Sequence, residues 1–191
     1  MRAIGLKIKS GFAIAAIVQR SADGSVIEAV RKILLSSEDL PQSRFPYHPT
    51  IELPERQGAA LSDKAVKEVR RVAAQEMRKV LEEFAGIKRG AMVVGSVIDP
   101  DSLGNPHVRV HALEGKLFRE VVAEALQQRG IACGVLVERE AYAKVASESA
   151  TTEQRLRTDI AALGHGQIKP WRSEEKLATL AAWWRLSGGK G

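Results

Sequence analysis

The sequence predicts an α/β fold built on one mixed five-stranded sheet with helices on both faces. Three observations carry that expectation. Residues 3–35 read as three consecutive strands. Two later apolar runs, 91–98 and 131–137, each stand alone between long stretches of helical periodicity. Strands that follow one another through tight turns pair antiparallel, whereas single strands separated by helices run parallel through right-handed crossovers.

Each element has a local cause. In "AIGLKIK" the residues Ile4, Leu6 and Ile8 alternate with Gly5, Lys7 and Lys9, the pattern of a strand with one apolar face. Ser10-Gly11 is a tight turn. Phe12 to Gln19 is almost continuously apolar, as in a strand buried on both faces. Asp23-Gly24 suits a second tight turn, and Ser25 to Leu35 forms the third strand.

Residues 36–60 hold Pro41, Pro46, Pro49, Pro54 and Gly58 and read as an irregular insertion. The helix after it is expected from Ser62 to Ala85. There Val66, Val69, Ala73, Met77, Val80 and Phe84 recur at spacings of three and four, and Gly86 follows as a stop. The strand "AMVVGSVI" ends at Asp99-Pro100. Asn105 and Pro106 supply the cap and first turn of a helix that runs to about Gln128 and closes at Gly130. After "IACGVLV", residues 138–163 are helical with a break near "SESATT". Trp171 to Leu186 forms the last helix, capped by Ser173. The tail "SGGKG" reads as loose.

At 191 residues the chain is long enough for a single domain with its own core, here taken as 1–191 with the insertion inside it. A hydrophobic content of 45% with 27% charged residues excludes a disordered chain. No apolar run approaches the ~18 residues of a membrane span. Arg2, Lys7 and Lys9 ahead of "GFAIAAIV" imitate a secretory leader, but the hairpin signal that follows favours a strand and a cytoplasmic protein. The net charge of +6 favours acidic partners such as nucleic acid. A lone cysteine, Cys133, excludes an internal disulfide and reads as a buried small hydrophobe.

Four stretches bear chemistry. Lys7 and Lys9 share the strand face opposite Ile4, Leu6 and Ile8; each can snorkel, pair with an acid such as Asp99, or hold a phosphate. In "NPHVRVHALEGK" the residues His107 and His111 share a helix face, with Glu114 three residues further on. That pattern suits a transition metal, an amphipathic first turn with partly exposed histidines, or an anion held by the helix N-terminus and Arg109. "KPWRSEEK" places Lys169 and Arg172 around Trp171, an aromatic that can stack on a base or pack back as a staple; Glu174 and Glu175 favour the first helical turn. In "EREAYAK", Arg139, Tyr142 and Lys144 form a rim or an ordinary surface. Adjacent Trp183 and Trp184 point apart, one to core and one outward, which allows a homodimer.

The order of elements resembles the ribonuclease H-like fold, and within it the RuvC-like branch of Holliday-junction resolvases. The likeness lies in "AIGLKIKSGFAIAAIV", in "ALEGKLFREVVAEALQQRGI" and in "YAKVASESATTEQRLRTDIAALG" followed by "SEEKLATLAAWW". The resemblance implies three or four carboxylates gathered around divalent ions; two ions about 4 Å apart activate water and stabilise the leaving oxygen. It puts the first-strand acid on Lys7, the fourth-strand acid near Asp99 and the last-helix acids near Glu174, Glu175 and Lys176. Two of those positions carry an ammonium, which repels a divalent cation and offers it no ligand. The reading is therefore a RuvC-like protein that binds nucleic acid, or associates with nucleoprotein, without cutting it. No metal ligand and no cofactor are assigned. Its nucleic-acid-binding residues are Lys7, Lys9, His107, Arg109, His111, Lys169, Trp171, Arg172 and Lys176. One alternative is an active Mg²⁺-dependent nuclease with a rearranged acid set from Asp99, Asp101, Glu114, Glu174 and Glu175. The other is an interaction protein that keeps the fold for dimerisation alone.

Overall fold

A computed structural model describes residues 1–22 and 24–189. Five strands form one sheet: β1 (Arg2–Lys9), β2 (Phe12–Ser21), β3 (Gly24–Leu34), β4 (Ile87–Val94) and β5 (Ala132–Val137), in the order β3-β2-β1-β4-β5. β1, β2 and β3 pair antiparallel, while β4 runs parallel to β1 and β5 parallel to β4. The sheet is thus the expected one. β2 is buried on both faces from Ala13 to Val18, as its unbroken apolar run required. Of the second turn, Asp23 lies outside the described residues, as do the last two residues of the tail.

Among the described residues there are six α-helices: α1 (Pro49–Glu52), which packs on α2, then α2 (Glu55–Glu83), α3 (Pro106–Gln127), α4 (Ala141–Glu148), α5 (Glu153–Gly164) and α6 (Ser173–Leu186). Ile4, Leu6 and Ile8 meet α2 and α3 through Val69, Met77, Phe118 and Val122. On the opposite face Ala91, Val93 and Leu136 meet α4, α5 and α6 through Val145, Ile160, Leu180 and Trp184. α6 lies directly on β1, because a Cβ at Gly5 would overlap the Ala178 carbonyl oxygen and the Ala182 nitrogen. Glycine is what lets the two backbones approach.

Several boundaries differ from the expectation. α2 begins at Glu55 rather than Ser62, so the insertion is irregular only to Pro54. β4 spans 87–94 rather than 91–98; it starts as soon as the chain leaves Gly86, and Val97 and Ile98 are exposed in the loop beyond it. β5 is an edge strand with Ala132 and Val135 exposed, not a strand buried on both faces. Asn105 caps α3 as expected, accepting hydrogen bonds from the His107 and Val108 amides. α6 begins at Ser173 itself, with Arg172 at the cap position.

Candidate nucleic-acid interface

The C-terminal ends of β1 and β4 open into a cleft of about 280 Å³, where ligands gather in open α/β sheets. Lys7, Lys9, Val94, Gly95, Ser96, His111 and Glu138 line it. In the sheet register Lys7 lies beside Val93, and Val93 beside Leu136. The Lys7 side chain therefore runs across β4 to the residue that follows β5. Its ammonium sits 2.6 Å from Glu138 Oε2, with Lys7 2% exposed and the glutamate side chain 44% exposed.

Lys7 thus pairs with Glu138, not with Asp99. Because β4 stops at Val94, the positions at its mouth are Gly95 and Ser96, and neither is acidic. Asp99 lies five residues past the strand, where its carboxylate accepts the Asp101 amide of a 3-10 turn. Asp101 is itself held by Arg109 at 2.7 Å, on the outer side of α3. Arg109 therefore makes an exposed local ion pair and lines neither this cleft nor the larger one.

The last-helix acids are also occupied. Glu174 faces Lys9 at 3.9 Å. Glu175 is buried, and its carboxylate accepts the Arg172 amide at 2.8 Å, closing the helix start. Among the described residues, Glu138 is the one carboxylate lining the cleft, and Lys7 neutralises it. The group implied by the fold, a pair of Mg²⁺ ions, does not fit this donor set: hard cations need converging oxygens, and here an ammonium stands among dispersed ones.

A second and larger cleft, about 620 Å³, lies over β2 and β3 and is lined by Lys32, Lys169, Arg172 and Glu174. The two clefts adjoin at the Lys9–Glu174 pair. Lys169 and Arg172 therefore belong to this second cleft, and Lys176 lines neither. Trp171 is not free to stack on a base. Its ring covers Gly164, its Nε1 donates to the Ala161 carbonyl at 2.9 Å, and it packs on the cluster around Val18 and Leu186. Trp184 is buried and donates to Glu148, leaving the half-buried Trp183 as the outward one of the pair. Tyr142 lies under Arg157, with burial holding its hydroxyl above the usual range.

His107 and His111 do share a face of α3, and a third imidazole joins them. His48, from the turn before α1, stands edge-on to both rings. Buried Glu114 lies beneath, with Oε1 2.8 Å from His48 Nδ1. Two contributors escaped the sequence reading. His48 sits in the proline-rich insertion, where no periodicity assigns a face. Glu138 directly follows β5, and its place at a strand's C-terminal end was the signal that could have found it.

No family model and no curated protein sequence matches the chain. Solved structures do. Thermus thermophilus RuvC superimposes with a TM-score of 0.59 at 11% identity, over 98% of this chain and 94% of the other. The same protein in complex with Holliday junction substrate gives 0.59 at 12% identity over the same shares. The yeast mitochondrial Holliday junction resolvase Ydc2 gives 0.53 at 10% identity, over 98% of this chain and 79% of that one. The chain has the RuvC-like form of the ribonuclease H-like fold.

Proposed function

We propose that this RuvC-like protein binds nucleic acid, alone or within a nucleoprotein, and does not cut it by the carboxylate–metal route. One observation carries the reading: the buried Lys7 ammonium, locked onto Glu138 where such a centre would need an acid. The likeness to RuvC, which was solved on a Holliday junction, supports nucleic acid as the partner. Basic residues on the rims of the two adjoining clefts, Lys9, Lys32, Lys169 and Arg172, supply charges for phosphate.

The division of those residues between two clefts changes the expected footprint. Lys9, Lys169 and Arg172 remain the phosphate-binding set. Arg109 lines neither cleft and pairs with Asp101, and half-buried Trp171 packs against the core, so neither adds to that set. The test is retention of a labelled four-way junction and of linear duplex across a salt series, followed by incubation with Mg²⁺. Salt-sensitive retention without product supports the reading. Mg²⁺-dependent product refutes it, and absence of retention at low salt leaves the interaction-only protein as the better account.

A further inference from the structure

We propose that His48, His107 and His111 form a binding site for one late first-row transition metal ion, of which Zn²⁺ is the test case, with Glu114 as the carboxylate that orients the ligands. The three side chains each offer one ligand atom, and these atoms lie within 4.8 Å of one another. Among the described residues this is the one gathering of three histidine, cysteine or acidic side chains with that geometry.

The spacing is that of a metal site. Zn–N bonds of about 2.0–2.1 Å at the tetrahedral angle put neighbouring ligand nitrogens about 3.3 Å apart. His107 Nε2 and His111 Nε2 are 3.3 Å apart without an ion. The ring planes meet at 86°, 69° and 88°, so the imidazoles stand edge-on around a common point rather than stacking. The third ligand atom, from His48, lies within 4.8 Å of the other two and must move closer to share one ion with them. Two of the ligands are exposed, and a fourth position remains for water or a phosphate oxygen, the arrangement of an open three-ligand site.

Glu114 is the second, independent observation. A carboxylate 1% exposed is costly unless its lone pairs are used. Its Oε1 takes His48 Nδ1 at 2.8 Å and the Tyr47 amide at 3.3 Å. Its Oε2 has no hydrogen-bond partner and lies 3.6 Å from His111 Nδ1. Protons on Nδ1 of His48 and of His111, aimed at this carboxylate, leave the Nε2 lone pairs of those two rings for the ion, beside His107 Nε2. That is the carboxylate–histidine–metal relation seen around bound metals. Metal binding would also shorten the Oε2 contact and satisfy the orphaned oxygen. Imidazole ligands favour Zn²⁺ and its neighbours over Mg²⁺, so this site is chemically distinct from the carboxylate centre that the fold implies.

The test needs no nucleic acid and so stands or falls apart from the proposed function. Tag-free, chelator-stripped full-length protein is titrated with Zn²⁺ against a chromophoric chelator, and with Co²⁺ for the visible absorption of a low-coordinate ion. One equivalent is expected to bind, and the Co²⁺ band to appear. His107→Ala, a change at an exposed residue that leaves the core intact, should weaken Zn²⁺ binding at least tenfold and abolish the band. Glu114→Gln should weaken it about 10–100-fold. Absence of stoichiometric binding to the unaltered protein overturns the proposal. So does binding that His107→Ala leaves unchanged.

Discussion

Two buried charged side chains, Lys7 in the cleft and Glu114 behind its lining residue His111, are handled in opposite ways. Lys7 is a cation matched one to one by Glu138, so its charge is used up inside the molecule. Glu114 is an anion faced by two imidazoles, with a third beside them, and its second oxygen is left over. In the first arrangement the ammonium takes up the one carboxylate that lines the cleft among the described residues. The second has an unspent oxygen and is ringed by imidazole nitrogens.

The largest expected effect comes from inverting the Lys7–Glu138 pair. Lys7→Asp sets a buried carboxylate beside Glu138 in place of its cation and is expected to lose about 3 kcal/mol of stability, the low end for a broken buried pair because water reaches the glutamate. Lys7→Met removes the buried charge while filling its space, and should be near neutral or stabilising by about 1–4 kcal/mol. Urea denaturation separates the two. A Lys7→Met variant less stable than Lys7→Asp would break the claim that charge matching governs this position. Lys7→Asp is also expected to gain no Mn²⁺-dependent cleavage, because no acid stands at the end of β4 and Lys176 is not an acid.

Next comes the partner. Glu138→Ala strands the Lys7 ammonium, and the expected loss is about 1–3 kcal/mol, at the low end for a buried pair because water reaches the glutamate side. Thermal melts of Glu138→Ala and Glu138→Gln check it. Equal stability of wild type and Glu138→Ala would mean that Lys7 finds other solvation.

The sheet was legible in the sequence because its causes are local. Alternation in 3–9, the unbroken run of β2 and the cap at Asn105 each act within a few residues. The site was less so, because it depends on where strands stop and on what crosses them. Val97 and Ile98 continue the apolar run of β4, yet the strand ends at Val94 and carries Asp99 away from Lys7. Trp171 sits among basic residues like a stacking platform, but Gly164 makes room for its ring, which packs half-buried against the core. His48 reaches its partners from a segment with no period to read.

Smaller effects sharpen the contrast at the rims. Lys169→Ala and Arg172→Ala should each weaken nucleic-acid binding modestly and flatten the slope of log affinity against log salt by about one unit per lost phosphate contact. Arg109→Ala, at a residue that lines neither cleft, should leave that slope unchanged. A slope change for Arg109→Ala equal to the others would extend the interface along α3.

The smallest effect concerns Cys133, on the edge strand. Burial pushes its thiol up to about 11. A folded-state value above the unfolded one, about 8.5, means that its contribution is intact below that pH and is lost as pH rises toward the folded value. Urea midpoints between pH 8 and 11 should therefore fall more steeply for wild type than for Cys133→Ala, and the thiol should react slowly with disulfide reagents near neutral pH.

The most direct test of the central claim is the combined binding and cleavage assay on one metal-stripped preparation. A four-way junction is titrated with protein from low to physiological salt, and then Mg²⁺ is added to the bound fraction. The account predicts retention that weakens steeply with salt and strands that stay full length in Mg²⁺. Nicked or resolved products that appear with Mg²⁺ and vanish on chelation would contradict it.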